Sequence, residues 1–161
     1  MDDVIELAFI IKGYPGTGRR VEEECDLRRT AAPDLLQGAF MGDAVFKLNE
    51  VNFDTRFGWV TLLYWCLGLA EATRRLKEDK MYVLRFGESD DCISFRLHGQ
   101  SALVASSYRP GIAVVEYNAL KKAVQSFIAE QFRWIRSSYP SAFMNPAMNE
   151  VISRSGVSFP A

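Results

Sequence analysis

With 161 residues, 48% of them hydrophobic and 24% charged, the chain has the make-up of one ordinary packed globular domain, which excludes disorder, collagen-like sequence and a coiled coil. A formal net charge of −1 supplies no global positive field to release counterions from a phosphate backbone, so nucleic acid is not an expected partner. Cys25, Cys66 and Cys92 are odd in number and lack metal-ligand spacing, and they read as reduced core residues.

Met1, Asp2 and Asp3 carry neither the positive start nor the apolar run of a signal peptide, so a cytoplasmic setting is expected. Ile5, Leu7, Phe9 and Ile11 then alternate with less apolar residues, which predicts a strand over 4–12. Gly13 to Gly18 is turn chemistry. With Arg19 and Arg20 behind it, the loop invites comparison with phosphate-binding loops, but no Lys and no helix start follow, and a plain hairpin loop is expected. Residues 20–28 read as a weaker acidic strand closing that hairpin. Glu22, Glu23 and Glu24 are expected to be a solvated stretch, with contact to a basic protein surface as the functional alternative.

Residues 29–43, punctuated by Pro33, Gly38 and Gly42, receive no assignment, and 44–53 reads as another strand. Asn49, Glu50, Asn52 and Asp54 are polar turn and cap formers. Asp54 or Thr55 offers an N-cap oxygen to a helix over about 56–78, in which Trp59, Leu62, Leu63, Cys66, Leu69, Ala70 and Leu76 recur at helical spacing. From Phe57 to Ala70 this segment is apolar on nearly every side. At ~1.5 Å per residue it reaches roughly 21 Å against the ~30 Å of a bilayer core, so protein rather than lipid must enclose it, and no membrane partner is expected.

Four short strands follow near 81–86, 92–97, 102–107 and 112–117, joined by gaps of hairpin length into an antiparallel meander. The expected first register sets Phe86 by Ile93, Leu84 by Phe95 and Tyr82 by Leu97, with Arg85, Ser94 and Arg96 on the wet face. Glu88, Ser89, Asp90 and Asp91 form the tightest carboxylate cluster, but it is too short for a calcium loop and reads as a solvated turn first and a partner contact second. His98, the single histidine, falls in the next turn, where a solvated residue is expected rather than a general base.

A second long helix is expected after Asn118, with a stripe of Leu120, Val124, Phe127, Ile128, Gln131 and Ile135, ending before Pro140. Asn145 and Pro146 are a cap and first-turn pair for a short helix near 146–154, and 155–161 reads as a loose tail. Trp65 and Trp134 lie off the main stripes, which makes them candidate anchors for self-association into a homodimer.

The expected architecture is a single α+β domain, a two-layer sandwich of order ββ(β)αββββα with two long helices on one face of a mainly antiparallel sheet and a short C-terminal helix. The expected function is a non-catalytic protein-binding module, of the kind of a small bacterial inhibitor or toxin-neutralising immunity protein. Its contact residues are Glu88, Asp90, Asp91, Arg85, Arg96, Glu22, Glu23 and Glu24, and it takes no cofactor and no metal. One alternative is a small-ligand carrier with an apolar pocket lined by Trp59, Trp65, Phe86 and Phe95. The other is a carboxylate or metal-dependent hydrolase using Glu88, Asp90 and Asp91, with Arg85 or Arg96 stabilising an anion.

Overall fold

The computed structural model describes residues 2–76, 81–87 and 89–159. Two four-stranded antiparallel sheets and a set of helices form an α+β sandwich. In the first sheet, β1 (Ile5–Ile11) pairs with β2 (Met41–Leu48), Ile5 opposite Leu48 and Ile11 opposite Gly42. The far edge of β2 takes β3 (Val51–Asn52) at one end and β4 (Val60–Thr61) at the other. The second sheet is the expected meander, β5 (Tyr82–Arg85), β6 (Cys92–His98), β7 (Ser101–Ser106) and β8 (Ile112–Glu116).

The partner of β1 is where expectation and structure part. Residues 20–28 are not a strand: Val21–Glu24 is a single helical turn, α1, in which the Cys25 N–H donates to the Val21 carbonyl at 2.9 Å. Acidic residues spaced one apart leave no apolar face for a sheet, whereas β2 buries most of its length, so β2 wins the pairing. The unassigned stretch contains α2 (Ala32–Gln37), with Pro33 in its first turn.

The expected helix over 56–78 is α3, Leu62–Leu76; residues 77–80 lie outside the described set. It starts late because its expected caps are engaged elsewhere. Asp54 accepts the Phe46 N–H at 2.8 Å and pairs with Lys47, Thr55 holds the Ala44 N–H at 2.9 Å, and Val60 and Thr61 pair with β2. The Leu62 N–H donates to the Phe40 carbonyl at 3.0 Å, so tertiary contact rather than a side-chain cap satisfies the first turn.

α4 (Tyr117–Ser138) starts one residue before Asn118, and its cap is Glu116, whose carboxylate accepts the Ala119 N–H at 2.9 Å. A 3-10 turn at Pro140–Met144 leads to α5 (Pro146–Ser155), capped as expected by Asn145, whose Oδ1 accepts from Ala147. The described part of the tail, 155–159, packs back on α4: the Phe159 ring meets Phe132 edge-on at 5.7 Å, and the Arg136 guanidinium lies 4.6 Å above it. Among the described residues no helix is long and apolar enough to cross a membrane.

α3 and α4 pack on each other and each touches both sheets. The shared core holds Phe46, Trp65, Phe86, Phe95 and Phe132, each exposed by 1% or less. A phenylalanine buried to this extent contributes about 1.5–3 kcal/mol. Side chains stitch the sheets where no ladder does: Asn49 Nδ2 donates to the Val114 carbonyl at 3.1 Å, and the Glu116 N–H donates to Asp3 at 2.7 Å. The Tyr108 hydroxyl donates to the Phe53 carbonyl at 2.6 Å, and Arg109 makes two bonds to the Asp54 carbonyl.

The β5–β6 register also differs from expectation, with Tyr82 opposite Phe95 and Leu84 opposite Ile93. The slip is two residues, so the inward face is unchanged. Phe86 leaves the ladder, its N–H donating to the Asp91 carbonyl at 3.2 Å, and its ring turns into the core.

Candidate functional site

One face of α3 is left open between α2 and β5, and two clefts there meet at Gln37 and Tyr64 to form one trough. The first, about 560 Å³, is lined by Met41, Trp59, Thr61, Phe86 and Ser89; the second, about 340 Å³, by Leu67, Gly68, Glu71, Tyr82, Arg85 and Arg154. Tyr64, Gly68 and Glu71 stand four and three residues apart, which aligns them along one side of the helix. Both volumes fall in the range of about 300–1,000 Å³ typical of binding clefts.

Its walls are set from the core outward. Trp59 precedes α3 rather than lying on it, and its ring stacks on Phe57 at 5.2 Å. Phe57 in turn meets Phe86 and Tyr108 edge-on at 5.5 and 5.2 Å, so the tryptophan is braced from behind. At the floor, a Cβ on Gly68 would stand 2.6 Å from Leu84 Cδ1. The missing side chain lets β5 approach α3, and the trough runs along that junction.

The charge in the trough is unevenly neutralised. Glu71 accepts from Arg74 and, at 3.0 Å, from Arg75 Nε. Arg85 and Arg154 have no ion pair or hydrogen bond among the described residues, and the Tyr64 and Tyr82 hydroxyls have none either. Burial, with the nearby Glu71 charge adding to it, pushes the Tyr82 phenol above its ordinary range, so it stays a neutral donor. Among the described residues the unpaired charges in the trough are therefore cations.

The contact residues singled out from the sequence scatter over four places, α1 among them. Arg85 lies at the trough lip. Arg96 is exposed on the outer face of the second sheet opposite Leu103, and two strands away on β8 Ile112 and Val114 are 65% and 53% exposed. Asp90 is exposed, whereas Asp91 is tied to the Ser89 and Ser107 hydroxyls, both at 3.2 Å. Glu88 lies outside the described residues.

Two of the surface expectations are corrected by burial. Glu22 is a core carboxylate, bonded to the Phe40 N–H and to Arg20 Nε, both at 3.0 Å. Trp65 is fully buried, stacked on Phe86 at 6.0 Å and edge-on to Phe46 at 5.6 Å, so it anchors the interior and not a dimer. Glu23 and Glu24 are exposed but already paired, the first with Tyr139 and Arg20, the second with Arg19 through two bonds of 3.0 and 2.8 Å. Trp134 remains at the surface, edge-on to Phe40 and Tyr139 at 5.8 and 5.7 Å.

The space expected to hold a carried ligand is filled, since Trp65, Phe86 and Phe95 are each exposed by 1% or less and Phe46 bridges Trp65 to Phe95. Among the described residues no group of three His, Cys, Asp or Glu side chains stands close enough to hold a metal ion. The glycine loop commits its amides internally: Thr17 and Gly18 donate to the Tyr14 carbonyl, and Tyr14 donates to that of Arg19. His98 ends β6 in solvent, and Cys25 is exposed, not a core thiol.

Sequence reasoning passed over Gln37, Gly68, Tyr82 and Arg154. Gly68 alone carried a signal, because a glycine inside an apolar helical run marks a close approach. The chain matches no protein-family profile, no curated protein and no solved structure.

Proposed function

We propose that this chain is a non-catalytic protein-binding module, of the inhibitory or toxin-neutralising type, which seats part of a partner protein in the α3 trough. The observation that carries the reading is the lining itself: half-buried Trp59, Tyr64 and Tyr82 beside Arg85, which has no ion pair among the described residues. Tyrosine, tryptophan and arginine in a partly desolvated groove are the residue types that dominate interface energetics. The cytoplasm is the proposed setting.

The test is recovery of the native complex with the wild-type chain and with Tyr64→Arg, which crowds the trough from an exposed side of α3. A partner retained by the wild type and lost by a variant of unchanged melting temperature supports the reading. A complex that survives Tyr64→Arg, or that maps to another face, removes it.

A second reading, a small-ligand carrier, is favoured by the size and apolar lining of the Trp59 end of the trough. It predicts tryptophan quenching by a small molecule extracted with the native protein, without any protein partner.

A further inference from the structure

Among the described residues the two edge strands of the second sheet differ in what holds them. At β8 the Val114 carbonyl and the Glu116 N–H are taken by Asn49 and Asp3, which ties that edge to the segments flanking β1 and β2. At the opposite end β5 pairs with β6 alone among the described residues. Alternate backbone groups of an antiparallel strand point away from its partner, and Tyr82, Leu84 and Arg85 of β5 line the trough.

Building on the binding-module reading, we infer that the occupant of the trough is an extended, acidic segment of the partner protein, which adds to the edge of β5 as a fifth strand. Three features favour that occupant. The free edge offers hydrogen bonds that only extended backbone can complete. Gly68 lets Leu84 of β5 pack against α3, which sets the strand along the wall of the trough. Among the described residues Arg85 and Arg154 line the same cleft without an acceptor, while Glu71 is held by Arg74 and Arg75, so the unmet charge there is positive and its complement is carboxylate. This reverses the sign expected from Glu22, Glu23 and Glu24, whose charge is satisfied within the chain.

The probe is a phage-displayed library of random dodecapeptides panned on the full chain, followed by anisotropy titration of the enriched peptides. The expected enrichment is acidic residues alternating with β-branched ones. Arg85→Glu and Arg154→Glu are expected to weaken the best peptide about tenfold each without a change in melting temperature. Methylating alternate peptide amides is expected to abolish binding, and the peptide to slow amide exchange at Val83 and Arg85.

Absence of any enrichment overturns the inference, as do peptides with helical apolar spacing, indifference to amide methylation, or protection at β1 instead of β5. The native partner separates the two levels. If Tyr64→Arg releases it but Arg85→Glu does not, the module stands and the strand is wrong; if neither releases it, the trough is not the binding site.

Discussion

The Glu22 carboxylate accepts the backbone N–H of Phe40 at 3.0 Å, and Phe40 holds a φ of 56° that bulky residues seldom adopt. Left-handed backbone costs a non-glycine residue about 1–2 kcal/mol, and Phe40 is kept there by this bond, by its carbonyl accepting from Leu62, and by ring contacts with Trp134 and Tyr139. Glu22→Ala orphans a buried N–H and is expected to lower stability by about 2–3 kcal/mol. Glu22→Gln, which keeps an acceptor, is expected to cost less than half of that; equal losses in chemical denaturation would show that charge rather than the bond matters.

Asp43 is a second buried carboxylate. Its Oδ1 accepts from the Thr55 hydroxyl and the Gly58 N–H, both at 2.9 Å, and its Oδ2 pairs with Lys12 at 2.8 Å. It therefore pins the segment that ends in Trp59. Asp43→Ala is expected to cost about 3 kcal/mol and to speed amide exchange at Gly58 well ahead of global unfolding. Exchange that accelerates only with global opening would deny the pin.

Gly68→Ala sets two effects against each other. The helix gains about 1 kcal/mol of propensity, but forcing a methyl against Leu84 costs about 1–3 kcal/mol in overpacking. A net loss near 1 kcal/mol is expected. Adding Leu84→Val should recover it, which a double-mutant cycle reads as a favourable coupling; purely additive effects would place the clash elsewhere.

Burial and the Glu23 acceptor push the Tyr139 phenol up from 10.0 to about 12. The unfolded chain loses this proton first, so between about pH 10 and 12 the folded state binds more protons and stability falls as pH rises; below pH 10 the contribution is complete. Tyr139→Phe is expected to flatten that part of the profile, with phenolate absorbance following the native titration.

The cysteines separate by location. Cys25 is exposed at the end of α1, whereas Cys66 is fully buried on α3 and its thiol is pushed up by burial. An alkylating reagent at neutral pH is expected to modify Cys25 in the native protein and Cys66 only after unfolding, as intact mass would show. Native labelling of Cys66 would mean that α3 opens locally.

Local pattern by itself determined the meander of β5 to β8, the α4 stripe, the Asn145–Pro146 start of α5 and the enclosure of the apolar α3 segment, because period, caps and turns act between neighbours. Only the tertiary structure decided the partner of β1, the late start of α3 and the interior places of Glu22 and Trp65. Each of these depends on a bond or ring contact between residues distant in the chain, such as Glu22 with Phe40 or Phe46 with Trp65. The trough belongs to the same class: Gln37, Tyr64, Tyr82 and Arg154 come from four separate elements, and no local periodicity records that packing sets them side by side.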